Sequence, residues 1–159
     1  MTAGAQDVTE PALKAAFIYN FAKFTEWPAD AMANGAPLVL CVLSDAAIGG
    51  ALERAVKARM LAGHSIGVSQ AAFDGRPLAG CHVAYIGGVT ASQAAKVVAG
   101  LRDSPVLTIS EVEGFTQMGG IAQFFFENGK LRFDVELASA KRARLQISSK
   151  LLSLARTAK

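Results

Sequence analysis

The chain has 159 residues, 52% of them hydrophobic, enough for one domain and too few for two. A chain of this size buries roughly 68–70% of its unfolded surface, which excludes disorder as a whole-chain description, and its longest apolar run, residues 36–43, falls far short of the ~18–20 residues that span a bilayer. The net charge of +3 is too mild for a dedicated nucleic-acid binder with a basic face, and it is unevenly placed: Lys141, Arg142, Arg144, Lys150, Arg156 and Lys159 lie in the last segment, which holds no acid, so that segment favours a neutral or acidic partner.

Residues 1–8 have neither the basic nor the apolar region of a signal peptide and are expected to be a flexible start, either of a cytosolic protein or of one whose signal has been removed. Thr9 caps a helix with Glu10 and Pro11 in its first turn. Leu13, Phe17, Phe21 and Phe24 recur on one helical face, and the helix stops before Trp27-Pro28, since proline disfavours the α conformation in the preceding residue. Residues 37–43 form a continuous apolar run with β-branched members, a strand buried on both faces and so part of a parallel sheet. A helix is expected over 46–61, with Leu52, Val56 and Met60 on one face. Strands over 65–70 and 81–86 follow, separated by the turn signal Asp74-Gly75-Arg76-Pro77, then a helix over 90–101, a strand over 105–109 and a loop over 114–120. The order predicts an α/β fold: one domain over residues 9–159, a mostly parallel central sheet flanked by helices.

The end of the chain carries the clearest local signal. Asn128-Gly129 is the pair preferred in a two-residue type I′ turn, and it sets a register: Glu127 opposite Lys130, Phe126 opposite Leu131, Phe125 opposite Arg132, Phe124 opposite Phe133, Gln123 opposite Asp134, Ala122 opposite Val135. One hairpin face is wholly apolar; the other is polar, with Phe125 as its only aromatic. If that polar face is open to solvent, Phe125 and Arg132 form a pair of the kind enriched in interfaces; if a helix covers it, Phe125 is core. Ser139 then opens a terminal helix, with Leu145, Leu151, Leu152 and Leu154 as its apolar stripe.

Few residues suggest chemistry. Residues 63–67 match G-x-S-x-G, yet the motif follows a helix and enters a strand, the reverse of a nucleophile elbow, and reads as a turn. His64 and His82 are far apart, and Cys81 adjoins His82 in a strand, where neighbours point to opposite faces, so no metal set forms. No phosphate-binding glycine motif is present, and no cofactor is implied. Ser44 and Asp45 lie just beyond the carboxyl end of a buried strand, where open α/β sheets place ligands; they define a candidate small-ligand crevice, or simply a helix cap. Cys41 and Cys81 are either reduced core thiols or a disulfide, and the residues alone leave both open.

Residues 14–28 (Lys-Ala-Ala-Phe-Ile-Tyr-Asn-Phe-Ala-Lys-Phe-Thr-Glu-Trp-Pro) resemble the opening signature of the YfiR-like family of periplasmic proteins. Cys41-Val42-Leu43, Cys81-His82-Val83, Val106-Leu107-Thr108-Ile109, Gly119-Gly120-Ile121, residues 127–133 and residues 149–155 follow that family's pattern in order, across nearly the whole chain. The resemblance implies a small α/β sandwich in the periplasm with its signal removed, dimeric and without catalysis. It further implies a Cys41–Cys81 disulfide, repression of an inner-membrane diguanylate cyclase through that enzyme's periplasmic sensor region, sequestration by an outer-membrane lipoprotein, and control of cyclic-di-GMP signalling and biofilm formation. A second disulfide found nearer the C-terminus in some members has no cysteines here. The candidate partner surface comprises Phe125 and Arg132, with Phe115 and Met118 of the preceding loop.

Overall fold

The computed structural model describes residues 8–74 and 78–159; the expected turn residues Gly75, Arg76 and Pro77, and all but Val8 of the expected flexible start, lie outside them. Helix α1 (Glu10–Lys23) begins as anticipated, with Thr9 Oγ1 accepting a hydrogen bond from the Ala12 N–H at 3.2 Å. Its inward side is centred on Ala15, Ile18, Phe21 and Ala22, slightly rotated from the phenylalanine row. The chain then makes a two-residue strand, β1 (Thr25–Glu26), before Trp27-Pro28.

The remaining elements are β2 (Leu38–Leu43), α2 (Ala46–Val56), β3 (Met60–Leu61), β4 (His64–Ala71), β5 (Val83–Ile86), α3 (Ala91–Gly100), β6 (Leu107–Ser110), a 3-10 turn (Thr116–Met118), β7 (Ala122–Glu127), β8 (Lys130–Val135), α4 (Leu137–Arg142), β9 (Gln146–Ile147), α5 (Ser149–Leu152) and β10 (Thr157–Ala158). Eight strands form one sheet in the order β10-β8-β7-β6-β5-β2-β4-β3. Strands β4, β2, β5, β6 and β7 run parallel, while β8 is antiparallel to β7 and β3 to β4. Strand β2 sits between two parallel neighbours and five of its six residues are buried, the both-face burial that its unbroken apolar run requires. The main core lies on one face, filled from α1, α2, α4 and α5, and α3 closes two smaller clusters on the other.

Two helices are shorter than their sequence patterns suggest. Helix α2 ends at Val56 because Lys57 turns extended (φ −54°, ψ 128°) and Ala58 adopts a left-handed conformation; Met60 then joins the β3–β4 hairpin and is 62% exposed instead of facing the core. The G-x-S-x-G stretch belongs to this hairpin, with Ala62 and Gly63 both at positive φ in its turn. The C-terminal helix comes in two pieces, α4 and α5. Arg144 at φ 62° stops the first, and the following residues pair as β9 with β1.

Two linkages tie the layers together. Cys41 of β2 and Cys81, just ahead of β5, form a disulfide with their Cα atoms 5.9 Å apart. The neighbouring His82 points the other way: its Nδ1 accepts the Val39 N–H at 2.9 Å, which leaves Nε2 to donate to the Ala31 carbonyl at 2.8 Å. Trp27 Nε1–H donates to the His82 carbonyl at 3.0 Å. Near the carboxyl ends of β5 and β6, Lys14 of α1, only 7% exposed, pairs with Glu10 at 2.6 Å and Glu111 at 2.5 Å, and the Tyr85 hydroxyl donates to Glu111 at 3.0 Å. Burial opposes the Lys14 charge, but the hydrogen bonds it donates to Glu10 and Glu111 outweigh it and hold the ammonium above its ordinary pKa. Burial, reinforced by Glu111, drives the Tyr85 hydroxyl far above its own.

The disulfide closes a separation of 40 residues, worth about 4 kcal/mol in the chain-entropy treatment. Replacing both Cys41 and Cys81 by Ala is therefore expected to lower the unfolding free energy by about that amount, read as a drop in the guanidinium midpoint against the oxidised protein.

Candidate protein-binding face

The β7–β8 hairpin forms in the register set by its turn, with Asn128 at φ 53° and Gly129 at φ 75° and all six residue pairs from Glu127↔Lys130 to Ala122↔Val135 as expected. Its inner face packs on α1: the Phe17 ring lies 5.8 Å from Phe124 and the Phe21 ring 4.9 Å from Phe133, both near edge-on. Phe126 departs from the expected apolar set, since it stands at the rim, 43% exposed, with Lys14 Nζ 5.5 Å from its ring centroid.

On the outer face no helix intervenes, because the clusters beneath α3 take side chains from β2, β5 and the loops but none from β7 or β8. Phe125 is half-buried there. The guanidinium stacked on it, 4.0 Å from its centroid, belongs to Arg156 and not to its cross-strand neighbour Arg132. Arg132 turns aside to Glu127 at 3.1 Å. Arg156 also grips Asp134 through two nitrogens, at 3.1 and 2.5 Å, and approaches Glu127 at 3.8 Å. Its position follows from β10, which adds to β8 in parallel with Thr157 opposite Asp134 and donates the Thr157 N–H to Asp134 Oδ1 at 3.2 Å. Sequence reasoning missed Arg156, because a two-residue edge strand has no periodicity to announce it. Burial pulls the Asp134 carboxyl upward, but Arg156 and Thr157 prevail and hold it below its ordinary 3.8.

The other anticipated residues sit differently. Phe115 is fully buried, packed with Leu43, Ile86, Ala94 and Val98, so it offers nothing to a partner. Met118 is half-buried against the same cluster. The loop reaches the outer face instead through Thr116, whose N–H donates to Gln123 Oε1 at 3.4 Å. The Ser44 and Asp45 side chains are both engaged. Ser44 Oγ accepts the Phe73 N–H at 3.0 Å, and Asp45 Oδ1 caps α2 through the Ile48 N–H at 3.1 Å. Gly88 closes over them, for a Cβ there would lie 2.0 Å from the Ser44 carbonyl oxygen. The cap reading holds for Asp45. Among the described residues, no three His, Cys, Asp or Glu side chains converge to hold a metal ion, and no helix is long and apolar enough to cross a membrane.

The YfiR/HmsC-like family model matches residues 11–156. The chain belongs to the YfiR/HmsC-like family. This is a family of periplasmic, non-catalytic regulators of diguanylate cyclase. Among solved structures, a conserved domain protein from Vibrio cholerae O1 biovar El Tor is similar in fold, with a TM-score of 0.60 at 13% identity, over 96% of this chain and 61% of that one. The chain thus spans about three-fifths of the length of that protein. No curated protein matches significantly. Residues 11–156 of the YfiR/HmsC-like match include both cysteines and the whole hairpin with Arg156.

The depressed Asp134 pKa sets how the β10 edge responds to acid. An unfolded chain takes up this proton first, so the stability that Asp134 confers is complete above its ordinary 3.8 and is lost as pH falls through the lower folded value. An Asp134→Asn variant of this YfiR/HmsC-like protein is expected to be less stable than the parent at pH 7, with the difference shrinking below about pH 4; parallel thermal melts at pH 7 and pH 3 check it.

Proposed function

We propose that this chain is a periplasmic regulator that binds the periplasmic sensor region of an inner-membrane diguanylate cyclase and represses it, lowering cyclic-di-GMP and restraining biofilm formation. Family membership over residues 11–156 carries this reading. The Cys41–Cys81 disulfide supports the compartment, because such bonds persist in oxidising surroundings. The contact surface is the outer hairpin face, built on Phe125 and Arg132 together with Arg156 and edged by Thr116. Aromatic and arginine side chains are the types that dominate interface energies, and here the Phe125 ring is already fixed under a guanidinium, so little side-chain entropy remains to be lost on docking. The protein acts as a homodimer, and an outer-membrane lipoprotein sequesters it.

Repression needs no bond-making. The regulator holds the sensor in one of two conformations by its differential affinity for them, and moving that equilibrium from 1:99 to 99:1 takes roughly a 10⁴-fold preference. The basic C-terminal segment contributes to encounter. Arg144 and Arg156 are paired with Asp30 and Asp134, whereas Lys141, Arg142, Lys150 and Lys159 have no carboxylate partner among the described residues, leaving a positive field that steers an acidic surface.

The double variant Phe125→Ala with Arg132→Glu is expected to weaken binding to the cyclase region by tenfold or more, about 1.4 kcal/mol, and to raise cyclic-di-GMP in cells while the melting temperature stays within a few degrees of the parent. Unchanged repression would overturn the surface, and a pull-down from the native cell envelope that retains no diguanylate cyclase would overturn the reading itself.

A further inference from the structure

A cavity lies away from the hairpin face, at the amino ends of β2 and β4. It is a cleft of about 750 Å³ between the end of α1, β1, the start of β2, the β3–β4 hairpin and β9. That volume falls within the range of small-molecule sites. Trp27, Met32, Met60 and Leu61 give it apolar walls, and Met60, 62% exposed, leaves a flexible apolar side chain at the edge that an occupant would cover.

Its polar groups are few and specific. Thr25 lines the cleft and is 6% exposed, and its Oγ1 is the one buried side-chain polar atom among the described residues without a hydrogen-bond partner. Buried hydroxyls are almost always paired, so an orphan one within a cleft points to a ligand atom that completes it. Lys23 also lines the cleft; its ammonium lies 5.6 Å from the Phe24 ring centroid and has no carboxylate partner among the described residues. Arg144 stands at the cleft in an exposed pair with Asp30 at 3.2 Å. His64 Nδ1 is held by the Ala36 carbonyl at 2.5 Å. The one acid of the lining, Glu26, is solvent-exposed.

We propose that this cleft binds a small amphipathic organic acid, its apolar body lodged between Trp27, Met32, Met60 and Leu61 and its carboxylate taken by the Thr25 hydroxyl and the Lys23 ammonium. The apolar walls supply affinity, and the two donors make the site select an anion over a neutral or cationic molecule of the same length. The site is independent of the hairpin face and of any cyclase.

Trp27 is the only tryptophan in the chain, so its fluorescence reports on this cleft directly. Titration of the full chain with decanoate below its micelle threshold is expected to give a saturable change, with decan-1-ol and decyltrimethylammonium each at least about tenfold weaker, the effect of a charge-assisted hydrogen bond. Thr25→Val, which keeps the shape and removes the hydroxyl, is expected to weaken decanoate by about tenfold while leaving the melting temperature equal or higher, a combination that a purely structural threonine would not produce. Lys23→Gln, at the exposed end of α1, provides a second variant with the same expected direction. No saturable response, equal affinity for the three probes, or decanoate binding unaffected by both substitutions would overturn the proposal.

Discussion

Everything in this molecule hangs on the way one dipeptide, Cys81-His82, fastens the central strand from both sides. Successive residues of an extended chain point to opposite faces, so Cys81 bonds to Cys41 beneath α3 while His82 reaches Val39 and Ala31 on the α1 side. The same histidine's carbonyl receives the Trp27 indole. A covalent bond, a fixed imidazole tautomer and an aromatic anchor therefore meet at the junction of β2 and β5. The end of α1, the loop after Trp27 and the first parallel pair are positioned by that junction, and the cleft beside Trp27 inherits its shape from it.

Much of this was legible in the residues. The hairpin register followed from Asn128-Gly129 alone, because a two-residue turn leaves the strands no freedom to slide. The both-face burial of β2 followed from an apolar run too short for a buried helix and too unbroken for a surface strand. The helix start at Thr9 is local chemistry and needs no tertiary context.

What was not legible is what depends on residues far apart. The strands β1, β3, β9 and β10 have two residues each, too few for any period, and exist only because a partner strand is already in place. The premature end of α2 reflects the pull of the β3–β4 hairpin, which tertiary pairing wins over helical propensity. Phe115 lies in a loop whose polar and glycine neighbours suggest exposure, yet its ring fills the space under α3. The stacking of Arg156 on Phe125 and the cleft around Thr25 share this character: each is assembled from separate chain segments, and neither leaves a mark on any one of them.

The position of the disulfide also divides the sheet mechanically. The crosslinked loop from Cys41 to Cys81 encloses α2, β3 and β4, and the β2–β4 ladder there runs for six paired residues. The hairpin lies outside that loop, and β7 meets β6 through two residue pairs only, Ile109↔Ala122 and Ser110↔Gln123. One half of the sheet is thus locked by a covalent bond and a long ladder, while the half that presents Phe125 and Arg132 is held mainly by aromatic packing against α1. Within the parallel core of the sheet, the β6–β7 seam is where the fewest ladder pairs would have to part for the hairpin to move.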